Sequence, residues 1–195
     1  MNKELEAKYF IKDKYLVRKK IEKAGLKLIK PEFLMKRKTF DSGVIGSWIR
    51  IRDEGDKITM TFKKNIGNTI DDVLESEIIV NDFEKASEII NQTNYKEKSY
   101  QENYREIWKN EEVEIVIDTW PFLDAYIEIE SNTKENIEKY SQILDFDFNK
   151  AFFGSVSVLY EKKYGISKKD FLKIDKIIFN DYNLLKILEK YRINK

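Results

Sequence analysis

What most constrains this chain is a strict alternation of charged and apolar residues that begins at its first strand-like segment. Across Lys3–Phe10, Glu4, Glu6 and Lys8 fall on one face, and Leu5, Ala7 and Tyr9 fall on the other. A single such strand is what one wet sheet face would show. Recurrence changes the reading. Ser47–Arg52 and Lys57–Lys63 alternate around an Asp53-Glu54-Gly55-Asp56 turn, which marks a hairpin. In it Arg50, Arg52, Thr59, Thr61 and Lys63 lie opposite Ile49, Ile51, Ile58, Met60 and Phe62.

Further along, Glu75 and Glu77 share a face of residues 73–80. In 99–108, Gln101, Asn103 and Arg105 oppose Tyr100, Tyr104 and Trp108. Val113, Ile115 and Ile117 leave Glu114, Val116 and Asp118 on the opposite side. In 124–130, Glu128 and Glu130 repeat the pattern of Glu4 and Glu6. Residues 34–41 supply an eighth strand, with poorer alternation.

Between the strands, helices are expected from Asp13 to Gly25, with Tyr15, Leu16, Ile21 and Ala24 as its apolar side, and from Asn81 or Asp82 to Gln92, carrying Phe83, Ala86, Ile89 and Ile90. Beyond residue 131 the pattern is helical, over Thr133–Leu144, Gly154–Tyr164 and Asn180–Tyr191. Tyr182, Leu185, Ile187 and Leu188 are the apolar positions of the last, read as a cover for the outside of the sheet. The expected fold is α+β: an eight-stranded antiparallel β-barrel with helices packed outside and a helical C-terminal segment. Residues 1–195 are read as one domain, with the strands in 1–131 and mostly helix in 132–195.

Closing the sheet removes its edges and turns the charged faces inward. A charged interior is costly unless its charges compensate or hold an ionic ligand. Composition narrows that ligand. Thirty-six Lys and Arg oppose 35 Asp and Glu, so the net charge is +1 and binding of nucleic acid through bulk positive charge is disfavoured. With no cysteine and no histidine, disulfides, Cys/His zinc sites and His-based triads are excluded. A catalytic metal must then sit on carboxylates, which suits Mg²⁺ or Mn²⁺. No apolar run approaches membrane-spanning length, and the reading is a cytoplasmic protein with no membrane partner. Lys8, Arg50, Arg52, Lys63 and Arg105 suit a chain of phosphates, while Glu4, Glu6, Glu75, Glu77, Asp118, Glu128 and Glu130 supply hard oxygens. Phosphoryl transfer needs both.

These motifs resemble the CYTH family, the triphosphate tunnel metalloenzymes, which include class IV adenylate cyclases, thiamine triphosphatases and inorganic triphosphatases. Glu4-Leu5-Glu6-Ala7-Lys8 resembles the family's Glu-x-Glu-x-Lys signature, and Ile49-Arg50-Ile51-Arg52 its Leu-Arg-x-Arg strand. Thr61-Phe62-Lys63, Glu75-Ser76-Glu77, Asp118 and Tyr126–Glu130 are similar to its later elements, in the same order. The stretches Asp118–Glu130 and Gly154–Gly165 are similar to a bacterial subgroup described only as CYTH-domain proteins.

The resemblance implies an eight-stranded antiparallel tunnel in which Glu4, Glu6, Asp118, Glu128 and Glu130 hold one or two Mg²⁺ or Mn²⁺ ions, with Glu75 and Glu77 as further candidates. Lys8, Arg50, Arg52, Lys63 and Arg105 would grip a small-molecule triphosphate, and Glu4, Glu6 and Lys8 would serve catalysis. Two departures matter. Tyr104-Arg105-Glu106-Ile107-Trp108 aligns with a Lys-x-Arg-x-x-Tyr strand, which puts Asn103 at a usual lysine position. The His-Phe signature common in class IV cyclases is absent. The missing histidine tilts the expectation toward a phosphohydrolase with adenylate cyclase as the alternative, while Asn103 supports a second alternative, a non-catalytic polyphosphate- or nucleotide-binding module. Whether the chain forms a homodimer stays open.

Overall fold

Alternation of this kind builds a sheet whose two faces must be treated differently, and the fold follows from how each is covered. The computed structural model describes residues 2–3, 5–41, 44, 46–65 and 73–193. In chain order the elements are β1 (Asn2–Lys3), β2 (Leu5–Phe10), α1 (Lys14–Lys23), β3 (Lys27–Asp41), β4 (Ser47–Asp53), β5 (Ile58–Asn65), β6 (Val73–Val80) and α2 (Phe83–Asn91). There follow β7 (Lys96–Lys109), β8 (Glu114–Thr119), β9 (Tyr126–Ser131), α3 (Lys134–Ile143), α4 (Ser157–Tyr164), α5 (Lys168–Phe171), β10 (Lys176–Ile177) and α6 (Tyr182–Ile193).

The strands pair in the order β1-β6-β5-β4-β3-β7-β8-β9-β2. All of these pairings are antiparallel. The two ends of that path, β1 and β2, are separated by one residue of chain. The N-terminal segment therefore pairs with β6 on one side and β9 on the other, and the sheet curls back on itself. This is the expected eight-stranded α+β architecture.

The aliphatic faces look outward into two clusters. Leu5, Ala7 and Tyr9 of β2, Ile115 and Ile117 of β8 and Ile127 and Ile129 of β9 pack against Val17 and Ile21 of α1 and Ile137 and Tyr140 of α3. Phe40 and Ile51 pack against Ala86 and Ile90 of α2. Full burial of such a side chain contributes about 1.5–3 kcal/mol, so these faces anchor the sheet. Caps hold the helices in place: the Asp13 carboxylate accepts from Tyr15 N and Leu16 N, and Asp82 accepts from Lys85 N. In the hairpin turn Gly55 sits at φ +86°, where other residues are strained.

Several local expectations are corrected. The second long strand runs Lys27–Asp41 and not 34–41, because its whole length is held against β7. Tyr15 and Leu16 are exposed, and Val17 joins Ile21 on the buried side of α1. Ile89 is likewise exposed. The Gly154–Tyr164 helix begins only at Ser157. Tyr182 and Ile187 are exposed on α6, whose buried stripe is Leu184 and Leu188. The C-terminal region also contributes a strand: β10 pairs in parallel with β7 at Tyr100 and Gln101.

The C-terminal segment does not lie on the aliphatic outside, as expected from sequence. Leu159, Tyr160, Tyr164, Phe171, Leu184 and Leu188 share one buried cluster with Trp120 and with Tyr126, whose ring lies on the inward face of β9. Tyr160 and Tyr164 donate to the carbonyls of Pro121 and Phe122, at 2.7 and 2.6 Å. Phe152 bridges the free edge of β2 by a reciprocal pair of 3.0 Å hydrogen bonds with the Lys8 backbone. Residues 152–188 thus seal one end of the curled sheet. No helix among the described residues is long and apolar enough to cross a membrane.

Candidate functional site

Register turns the sequence alternation into pairs. Because directly opposite residues on antiparallel strands bring their side chains together, Lys8 meets Glu128, Lys63 meets Glu75, Thr61 meets Glu77 and Arg105 meets Asp118. Lys8 Nζ hydrogen-bonds Glu6 and lies 3.3 Å from Glu128 Oε1, with its side chain only 2% exposed. Lys63 Nζ is 2.5 Å from Glu75. Arg105 donates twice to Asp118, at 2.8 and 2.7 Å, and once to Glu128, at 3.0 Å. Arg50 and Arg52 both reach Glu77 at 3.8 Å, and Arg52 also meets Glu54 at 2.7 Å. The cations expected to grip phosphates and most of the expected carboxylates therefore line one interior.

One pairing repels. Glu6 faces Glu130 across β2 and β9, and Glu130 in turn faces Glu114 across β8. Like charges set opposite one another destabilise a sheet. Glu6, Glu128 and Glu130 each bring a carboxylate oxygen within 4.8 Å of the others. Such a hard-oxygen trio fits a Mg²⁺- or Mn²⁺-like ion. Glu4 lies outside the described residues. Asp118 is not part of the trio. It is fully buried, and its oxygens accept from Arg105, from Asn103 Nδ2 at 3.2 Å and from the Tyr126 hydroxyl at 3.2 Å. Glu75 pairs with Lys63 and Glu77 with the two arginines, and neither belongs to the trio.

The field inside is strong. Burial works against the charged form of Glu128, but Lys8 and Arg105 outweigh it and hold its carboxyl down to about 2. Burial also opposes the Lys8 charge, and Glu128 and Glu6 more than compensate, raising its pKa. Arg105 is raised in the same way by Asp118 and Glu128. Burial, with Asp118 and Glu128 nearby, pushes the Tyr126 hydroxyl well up, so it stays a donor. On the Glu130 side a cleft of about 300 Å³ opens, lined by Glu75, Glu112, Glu114, Glu130 and Lys109. The opposite, Trp120–Tyr126 end is the sealed one.

The family model for the CYTH domain matches residues 2–152. A Methanocaldococcus jannaschii protein named "Putative adenylate cyclase MJ0240" is 31% identical over 146 residues, 70% of this chain and 81% of that protein. The chain belongs to the CYTH family. CYTH proteins include triphosphatases and adenylate cyclases, bind triphosphate substrates and depend on metal. The fold is shared with a conserved hypothetical protein of Pyrococcus furiosus, with a TM-score of 0.69 at 20% identity over 80% of this chain and 99% of that one. It is shared too with a Hippeastrum protein described as a "putative adenylyl cyclase" with a dominant triphosphatase activity, with a TM-score of 0.56 at 15% identity over 91% of this chain and 98% of that one.

Sequence reasoning missed one interior residue of this CYTH chain. Arg37 on β3 lies opposite Arg52 and Gln101, and its Nη2 donates to Asn103 Oδ1. It was hidden in the run Lys36-Arg37-Lys38, where three consecutive cations give a period-two reading no means of choosing a face. Phe40, three residues later and so on the opposite face, packs outward against α2 and was the available signal.

Proposed function

We propose that this CYTH protein is a metal-dependent phosphohydrolase that cleaves a small triphosphate inside its curled sheet. The observation that carries the reading is the interior itself. Arginines and lysines suited to a phosphate chain lie beside a trio of carboxylates, with no histidine anywhere in the chain. Glu6, Glu128 and Glu130 are the residues that would hold Mg²⁺ or Mn²⁺. When bound, that ion would neutralise phosphate charge and make water more acidic.

The chain's own groups do the rest. Lys8, Arg50, Arg52, Lys63 and Arg105 exchange their present carboxylate partners for phosphate oxygens. The arginine forks suit two oxygens at once. These cations then face the charge that spreads over the terminal phosphoryl group in the transition state. Water adds to the terminal phosphorus as the bridging P–O bond breaks, its proton passing to the carboxylates at that end. With inorganic triphosphate the products are orthophosphate and pyrophosphate.

Adenylate cyclisation is the second reading, favoured by the printed name of the M. jannaschii relative. In that reaction the ribose 3′-hydroxyl attacks the α-phosphorus and pyrophosphate leaves. A product assay separates the two. The protein is incubated with inorganic triphosphate, thiamine triphosphate or ATP, each with Mg²⁺ or Mn²⁺, beside Glu6→Ala and Glu130→Ala. Orthophosphate release abolished in both variants is expected. Cyclic AMP with pyrophosphate from ATP would replace hydrolysis by cyclisation, and tight binding without product would leave a binding module.

A further inference from the structure

Every interior cation so far described lies within 4 Å of a carboxylate. Arg37 does not: among the described residues it has no carboxylate partner. Its guanidinium lies 4.7 Å over the Trp120 ring, and its Nη2 donates to Asn103 Oδ1 and stands 3.0 Å from Met35 Sδ. Its Nε is sealed from solvent with no hydrogen-bond partner among the described residues. Leaving a charged donor unmet in this way is costly.

The neighbours make matters worse. Burial first, and then Arg50, Arg105 and Arg52, disfavour the Arg37 charge and lower its pKa to about 9, with Asp118 opposing them. A guanidinium keeps its proton at neutral pH even so. The stress therefore falls on Arg37, because Arg50, Arg52 and Arg105 already have carboxylate partners. An anionic oxygen would give Arg37 the partner that the other interior cations already have.

We propose that Arg37 is a further substrate-binding residue, whose guanidinium takes a phosphate group inside the curled sheet and supplies the cation that Asn103 does not. The inference rests on the triphosphate reading above and deepens it. Asn103 is neutral and donates to Asp118, and Arg37 reaches its oxygen from the adjacent strand. The positive charge beside position 103 is thus delivered by β3 and not by β7. An alternative role is purely structural, with Arg37 kept for its stacking on Trp120 and its bond to Asn103.

Arg37→Met and the double variant Arg37→Met/Asn103→Lys distinguish these roles. Each is compared with wild type by titration calorimetry with inorganic triphosphate in EDTA, by steady-state kinetics with Mg²⁺, and by metal-free melting. Loss of one charge-assisted contact predicts a Kd and KM about 10- to 100-fold higher in Arg37→Met. The metal-free melting temperature is expected to equal or exceed that of wild type, because repulsion is removed. The double variant is expected to recover at least part of the affinity. Wild-type binding matched within twofold by Arg37→Met would overturn the assignment and leave the triphosphate reading intact. So would a clear fall in melting temperature without recovery in the double variant, which is the structural outcome. A wild type that neither binds nor cleaves triphosphate would overturn both readings, and that arm alone identifies the case.

Discussion

Asp118→Asn puts the architecture of the interior to a quantitative test. The carboxylate is fully buried and takes two hydrogen bonds from Arg105, at 2.8 and 2.7 Å, besides those from Asn103 and Tyr126 at 3.2 Å. Removing one partner of a buried ion pair costs about 3–5 kcal/mol, because the other charge is left uncompensated. Asparagine keeps one acceptor oxygen, and Glu128 Oε2 still faces Arg105 at 3.0 Å, so the lower end applies, about 3 kcal/mol. In a chain of this size each kcal/mol moves the melting temperature by about 2–4 °C, which predicts a fall of about 6–12 °C.

The assay is thermal unfolding of the metal-free protein at neutral pH, followed by far-UV circular dichroism, alongside Mn²⁺ titration. Asp118 lies outside the Glu6–Glu128–Glu130 trio, so Mn²⁺ affinity is expected to survive in Asp118→Asn and to collapse in Glu130→Gln. A melting temperature within about 2 °C of wild type, together with lost Mn²⁺ binding, would refute this reasoning. Asp118 would then be a metal ligand first and the anchor of Arg105 second.

Two other expectations follow from the same geometry. The Glu128 carboxyl is held down to about 2, below its ordinary value of 4.5, so its contribution to stability is complete above pH 4.5 and is lost as pH falls toward 2. The urea stability gap between wild type and Glu128→Gln should therefore shrink across that window, and a gap that widened would contradict the pairing with Lys8 and Arg105. Leu188 is fully buried in the cluster that seals the Trp120–Tyr126 end, so Leu188→Ala should cost about 2–5 kcal/mol by calorimetric melting. A change under half a kcal/mol would mean that α6 is not docked there.

Much of this protein is legible in its sequence because a strand's two faces are written at period two. Glu6, Lys8, Arg50, Arg52, Lys63, Arg105, Asp118, Glu128 and Glu130 were all placed on the inward side by alternation against aliphatic neighbours, and the sheet turns them inward. The eight strands, the Gly55 hairpin and the Asp13 and Asp82 caps were legible for a related reason. Each depends on residues a few positions apart, whose backbone preferences act locally.

Tertiary structure decided the rest, wherever the partner lies far along the chain. Only strand register brings Glu6 opposite Glu130 and separates Asp118 from the trio, since pairing is set between strands and not within one. Lys36, Arg37 and Lys38 are equivalent as letters, and the fold alone selects Arg37 to face Arg52 and Asn103. The C-terminal helices read as a cover for an aliphatic face because their apolar positions carry no address. It is packing against Trp120 and Tyr126, some sixty residues upstream of Leu184, that makes them the seal of the charged interior.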